Sequence, residues 1–197
     1  MSKTLTHLVL LAALALAALG PARSAGAAGE LPRNSVYQLD ARLIDQSGRP
    51  LALASRRGKA QLVVMFYTSC KFICPTIIDT VLDLDRKLAA PERRQLGVLL
   101  ISLDPQHDDP KALQATADKR GLDLTRWTLA QPKAQDVRAI AGLLGVRFRA
   151  LADGEFNHTG VLVLLDAEGR IVARSEQTSG SVEPQFLGRV RTLLAAH

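Results

Sequence analysis

Only two cysteines occur in this chain, aromatic residues make up 4 % of it, and no apolar run is longer than the twelve residues Leu8 to Leu19. Each scarcity excludes something. Two cysteines cannot build the crosslinked framework of a small secreted scaffold, so any role they have is local. So few rings leave little to stack on bases. The basic residues come as scattered pairs, Arg56-Arg57, Arg93-Arg94 and Lys119-Arg120, rather than as a stripe, so nucleic acid is not an expected partner despite the net charge of +6. Twelve apolar residues fall short of the roughly 18–20 that a membrane-spanning helix needs.

What is present is globular. Hydrophobic residues account for 47 % and charged residues for 22 % of 197 positions, which rules out a disordered chain and suits one domain plus a targeting segment. That segment is at the start. Lys3 supplies a basic end, Leu8 to Leu19 an apolar core, and Gly20-Pro21 with Ser24-Ala25-Gly26-Ala27 a small-residue cleavage region. This order reads as a secretory signal cut after Ala27. Losing Lys3 and Arg23 takes the net charge from +6 to +4. No cysteine follows the run to accept a lipid. The expected organisation is a signal over residues 1–27, a linker over 28–34 and one domain over 35–197. The protein is expected to be exported and periplasmic, with membrane contact only if the N-terminal segment is retained.

The domain alternates strands and helices. Val36 to Ile44 and Leu51 to Leu53 flank the turn signal Gln46-Ser47-Gly48-Arg49, which predicts an N-terminal β-hairpin. Gln61 to Tyr67 and Leu96 to Leu103 are continuous apolar runs of the length of strands buried on both faces. Cys74-Pro75 opens a helix whose apolar residues Ile77, Ile78, Val81, Leu82, Leu84 and Leu88 recur at helical spacing. Asp109-Pro110 starts another helix, to about Arg120, with Asp109 as its cap. A short strand is expected over Thr125 to Ala130 and a helix over Lys133 to Leu144, ended by Gly145. Val161 to Leu165 and Ile171 to Arg174 flank Asp166-Ala167-Glu168-Gly169 as a second hairpin, and Val182 to Ala195 closes the chain as a helix. The expected fold class is α/β: a thioredoxin-like mixed sheet flanked by helices, with an N-terminal β-hairpin.

Cys70 and Cys74 fall between a buried strand and a helix start. If the intervening segment winds as one helical turn, the two share a face, with Cα atoms about 6 Å apart. That spacing permits a disulfide. The same pair can grip one metal ion. The free N–H groups of a helix start and the charge of Lys71 favour the thiolate, the form that binds metals and attacks disulfides. Two inert buried cysteines, or a plain structural disulfide, explain the spacing equally well.

His158 lies just ahead of the strand Val161 to Leu165, 84 residues beyond Cys74. In a thioredoxin-like sheet the loop entering that strand faces the loop after the first buried strand. Two thiolates and one imidazole form a soft donor set that suits Cu(I), and the nitrogen admits Cu(II). Zinc accepts the same ligands but usually takes a fourth, and no fourth is evident. Asp104 ends the strand Leu96 to Leu103, where ligand crevices open in α/β sheets. It is a candidate to orient a histidine or lysine from behind the ligands, or simply part of an Asp-Pro turn. Asp108 and Asp109 read as helix caps.

Taken together, these segments resemble the Sco/SenC family of copper-binding, thioredoxin-like proteins. Phe66 to Pro75 looks like that family's strand followed by C-x-x-x-C-P. Ile101 to Pro105, continuing through Asp108-Asp109-Pro110, is similar to its S-x-D-P-x-x-D-x-P. His158 with the strand and the Asp166 to Gly169 turn matches its histidine and D-x-x-G hairpin, and Asp45 and Gly48 match its leading hairpin. The resemblance spans residues 36–195. It implies copper ligation by Cys70, Cys74 and His158, and a role in maturing the dinuclear copper centre of cytochrome c oxidase, by delivering copper, by reducing the target's cysteines, or both. The partner it implies is therefore a copper-site protein such as an oxidase subunit. Lys71 stands where the family often has proline, and Asn157 where it often has an acid. Neither removes a ligand, and both alter local charge. A metal-free thiol–disulfide oxidoreductase using Cys70 and Cys74 is the alternative function.

Overall fold

The structure, a computed structural model, describes residues 30–196. The expected signal, 1–27, lies outside the described residues, as do positions 28 and 29 of the expected linker. Farther along that linker, Leu31 packs against the core, and the Leu31 and Pro32 carbonyls accept from the Gln38 side-chain amide.

The chain first makes a 3-10 turn at Val36–Gln38, then the hairpin of β1 (Arg42–Asp45) and β2 (Pro50–Ala52). The strand expected from Val36 is shorter because the Ser35 hydroxyl accepts from the Tyr37 N–H and winds the entry into that turn. Asp45 builds the hairpin tip. Its carboxylate accepts from the Ser47 N–H at 2.9 Å, the Ser47 hydroxyl at 2.6 Å and the Arg49 N–H at 2.9 Å. Gly48, at φ 80°, supplies the left-handed residue of the turn.

Next come β3 (Ala60–Phe66), α1 (Ile73–Lys87), the short α2 (Ala90–Gln95), β4 (Leu96–Ser102), α3 (Pro110–Arg120) and β5 (Trp127–Pro132). Both β3 and β4 are buried at all seven positions, as strands covered on both faces must be. α1 buries Ile77, Ile78, Val81 and Leu84, the stripe its spacing dictates. Each such side chain contributes about 1.5–3 kcal/mol on leaving water. Asp109 caps α3 as expected, its carboxylate accepting from the Ala112 N–H at 2.8 Å.

A 3-10 turn at Ala134–Asp136 precedes α4 (Val137–Leu144), so the single helix expected from Lys133 is divided in two. The chain continues through β6 (Phe148–Ala150), β7 (Phe156–His158), β8 (Leu162–Leu165), β9 (Ile171–Ser175) and α5 (Pro184–Ala195). The main sheet runs β2-β1-β5-β4-β3-β8-β9. β3, β4 and β5 are parallel, and the remaining pairs are antiparallel. β6 and β7 pair only with each other, as a separate hairpin. No helix among the described residues is long and apolar enough to cross a membrane.

Candidate metal centre

β3 delivers the chain into the cysteine loop. Cys70 lies on that loop, and α1 begins only at Ile73, so the two cysteines do not share a full helical turn. Instead the Cys70 sulfur accepts the backbone N–H of Cys74 at 3.3 Å. It thus takes the place of a capping side chain, satisfying one of the N–H groups that every helix start leaves free. Phe72, the residue flanking α1, offers no side-chain cap of its own.

His158 arrives from the other end of the chain. It closes β7, opposite Phe148. Its Nε2 lies 3.3 Å from the Cys74 sulfur. Its Nδ1 lies 3.2 Å from the Thr159 carbonyl, which can only accept. That contact assigns the ring proton to Nδ1 and leaves the Nε2 lone pair facing the sulfurs. The two sulfurs and a ring nitrogen all lie within 4.8 Å of one another, and all three residues are buried. Ligand atoms sharing one ion at bonds of roughly 2.0–2.3 Å stand up to about 4.6 Å apart, so these donors need to draw in by only about 0.2 Å at most to share a single ion.

The two thiols are not equivalent. Hydrogen bonding from the Cys74 thiol pulls the Cys70 thiol well below the ordinary range, and the N–H groups at the helix start act in the same direction. The same pairing, with burial, pushes Cys74 well above it. Both cysteines are free thiols.

Two supports hold the loop and the hairpin in place. Asp108 is buried and accepts from the Thr68 N–H at 3.1 Å, from the Thr68 hydroxyl, and from the Ser102 hydroxyl at 2.6 Å. It anchors the loop two residues before Cys70. Burial raises its carboxyl above the usual range, against the lowering effect of those hydrogen bonds. The Tyr67 hydroxyl lies 2.8 Å from a Glu155 carboxylate oxygen and accepts from the Phe156 N–H at 3.2 Å. The Tyr67 ring meets His158 edge-on, with centroids 5.7 Å apart. Gly160 brings the chain past α1, where a Cβ would stand 3.0 Å from Ile77 and 2.7 Å from the Thr178 hydroxyl.

This geometry can be set beside known proteins. A family profile described as SCO1/SenC matches residues 31–194. This chain belongs to the SCO1/SenC family. A Stutzerimonas stutzeri protein named for copper binding is 27 % identical over 146 residues, covering 72 % of this chain and 69 % of its own. A crystal structure of an Aquifex aeolicus VF5 protein assigned to electron transfer superposes with a TM-score of 0.72 at 23 % identity, covering 83 % of this chain and 95 % of that one. Bradyrhizobium japonicum ScoI, solved with copper bound, gives 0.64 at 20 % identity, covering 78 % and 96 %. These structures show that the SCO1/SenC chain has the thioredoxin-like fold of its family.

Of the four expected site residues, the fold brings Cys70, Cys74 and His158 together. Asp104 is placed differently. It is buried beyond the end of β4, and the histidine it engages is His107, whose Nδ1 lies 2.7 Å from its carboxylate. The aspartate that reaches the cysteine loop is Asp108, which the sequence reading took for a helix cap. Sequence reasoning also missed Tyr67 and Glu155. The signal for Asp108 was the pair of consecutive aspartates before Pro110, of which one suffices as a cap. No local signal joined Tyr67 to Glu155.

Proposed function

We propose that this protein is an exported copper carrier. It binds one copper ion through Cys70, Cys74 and His158 and passes it to a copper-site protein, such as an oxidase subunit. The carrying observation is the convergence of three soft donors, from chain segments 84 residues apart, within 4.8 Å. Two thiolates suit Cu(I), and the imidazole admits Cu(II). The copper-binding name of the Stutzerimonas relative and the copper in Bradyrhizobium japonicum ScoI support the choice of ion. The cluster counts three residues among those described, where a structural zinc site takes four. Copper is cargo here, so the site is built to release it: a partner's ligands displace these three one after another.

Titration of the reduced protein with Cu(II) tests this. The expected result is an intense visible absorption from thiolate-to-copper charge transfer, saturating at one equivalent. Cys70→Ser and Cys74→Ser abolish the band, and His158→Ala shifts and weakens it. Copper binding at wild-type strength by all three variants would overturn the reading.

The adjacent free thiols favour a second reading, thiol–disulfide exchange with a partner. It expects reduction of a disulfide substrate that needs both cysteines and survives His158→Ala.

A further inference from the structure

Helix α3 turns one face to the mouth of α1. Lys119 and Arg120 stand three and four positions beyond Thr116 on it, so the three share that face. Together with Cys70, Cys74 and Thr68 they line a cleft of about 110 Å³. Arg120 sets its width. The guanidinium donates to the Pro75 carbonyl at 3.4 Å and pairs with Asp79, which ties α3 to the first turns of α1. Thr116 makes no hydrogen bond across the gap, because its hydroxyl donates back to the Ala112 carbonyl at 3.0 Å.

Neither His158 nor any other residue of the β6–β7 hairpin lines this cleft. The two clefts that border the hairpin, one lined by Phe148 and Phe156 and the other by Arg149 and Asn157, include neither cysteine. Of the two sulfur-bearing residues, Cys70 is the more accessible, at 9 % against 2 % for Cys74. The sulfurs are therefore approached from α3, and the imidazole lines none of the three clefts.

We propose that this cleft admits one thiol of the protein that receives copper, with Thr116 as its gate. The inference rests on the carrier reading above and names the ligand class and the side from which it comes. Between two thiolates, the donor that competes for Cu(I) is a third sulfur. The space suits a slender group. About 110 Å³ holds a methylene and a sulfur, and is less than the roughly 150 Å³ of a cavity that takes up benzene. As the incoming sulfur bonds copper, the copper–His158 bond breaks, the thiol proton passes to the Nε2 left free, and copper stays Cu(I). A larger side chain at Thr116 would project into the cleft, and Arg120 keeps the walls from parting around it.

The test alkylates the full, reduced, metal-free protein with slender iodoacetamide and with the broader ring of N-ethylmaleimide. The rate at Cys70 is followed by mass mapping and taken relative to N-acetylcysteine. Wild type is expected to favour iodoacetamide. Thr116→Phe slows both reagents, iodoacetamide roughly tenfold, as a barrier raised by about 1.4 kcal/mol would. Thr116→Ala speeds the maleimide several-fold and iodoacetamide little, a result that stands even where the phenylalanine variant folds poorly. Phe156→Ala, which loosens the hairpin, changes neither rate much. Alkylation that ignores both Thr116 variants, or that Phe156→Ala speeds several-fold, would overturn the proposal in favour of entry past His158. Transfer of Cu(I) from the loaded protein to a peptide with one cysteine is expected to slow in Thr116→Phe by a similar factor, with the Cu(II) absorption band unchanged. The same preparations keep the two readings apart. No copper uptake by wild type, with alkylation still governed by Thr116, removes the carrier reading alone. Copper uptake with transfer indifferent to Thr116 removes this one alone.

Discussion

The Tyr67 hydroxyl lies 2.8 Å from a Glu155 carboxylate oxygen, a contact across 88 residues that joins the end of the central strand to the hairpin carrying His158. The Tyr67 hydroxyl oxygen also accepts the Phe156 N–H, so one phenol holds two points of the hairpin against the cysteine loop. Tyr67→Phe keeps the ring and removes both contacts. The expected cost is about 1–2 kcal/mol in urea denaturation, since the Phe156 N–H loses a partner. Copper affinity is expected to fall several-fold with the absorption band retained, because all three donors are still present. Titration and denaturation of the one variant read both effects.

Gly160 marks a second point of closure. A methyl there would press on Ile77, which is fully buried, and on the Thr178 hydroxyl. Gly160→Ala is expected to lose about 1–3 kcal/mol of stability, the usual range for overpacking. Adding Thr178→Ala is expected to recover part of that loss. A fully stable Gly160→Ala would mean that the hairpin approaches α1 less closely than described.

Asp108→Asn tests the anchor under the loop. Three donors converge on this carboxylate, and an amide turns an NH₂ toward at least one of them. The expected loss is about 1–3 kcal/mol. Thiol alkylation at Cys70 is expected to speed up, because Thr68 no longer fixes the loop. Alkylation at the wild-type rate would count against the anchoring role.

The pH dependence of stability has one clear contributor on α1. Hydrogen bonding from Lys87, then from the Val182 N–H, holds the Asp83 carboxyl below the usual carboxylate range. Its ionised form is therefore favoured in the folded state. The stabilisation is fully present above the unfolded pKa of about 3.9 and is lost as pH falls through the lower folded value. Asp83→Asn is expected to be less stable than wild type at pH 7, with the gap closing in strong acid. A constant gap from pH 7 to acid would contradict the assignment.

Copper should itself stabilise the fold, because the donors meet only in the folded state. At free copper about a hundredfold above Kd, the gain is about 2.7 kcal/mol. Thermal denaturation of reduced protein with and without copper measures it, and His158→Ala is expected to reduce the shift.

Much of this was legible in the chain. The buried runs named β3 and β4, and Asp109-Pro110 marked the start of α3, because each signal is local. Cys70, Cys74 and His158 stood out by residue type, and the resemblance supplied the reason for their meeting. The hairpin of β6 and β7 was not legible. Its strands have three residues each, with the polar Arg149 and Asn157 paired on the outer side, so no apolar periodicity announces them. The supports were hidden for a related reason. Asp108 reaches back 40 residues to Thr68, and Tyr67 reaches forward 88 to Glu155. A capping motif and a strand-end tyrosine look the same in sequence whether or not such a contact forms.

The separateness of that hairpin has a practical meaning for handing over cargo. The sulfurs are fixed to the end of a fully buried strand and the mouth of a long helix, while the imidazole rides on two strands that share no ladder with the main sheet. Lifting the ring away would cost the contacts at Tyr67, Phe148 and Phe156 and leave the seven-stranded frame whole. On the proposed carrier reading, a recipient loosens one grip first and takes the ion from two sulfurs that have not moved.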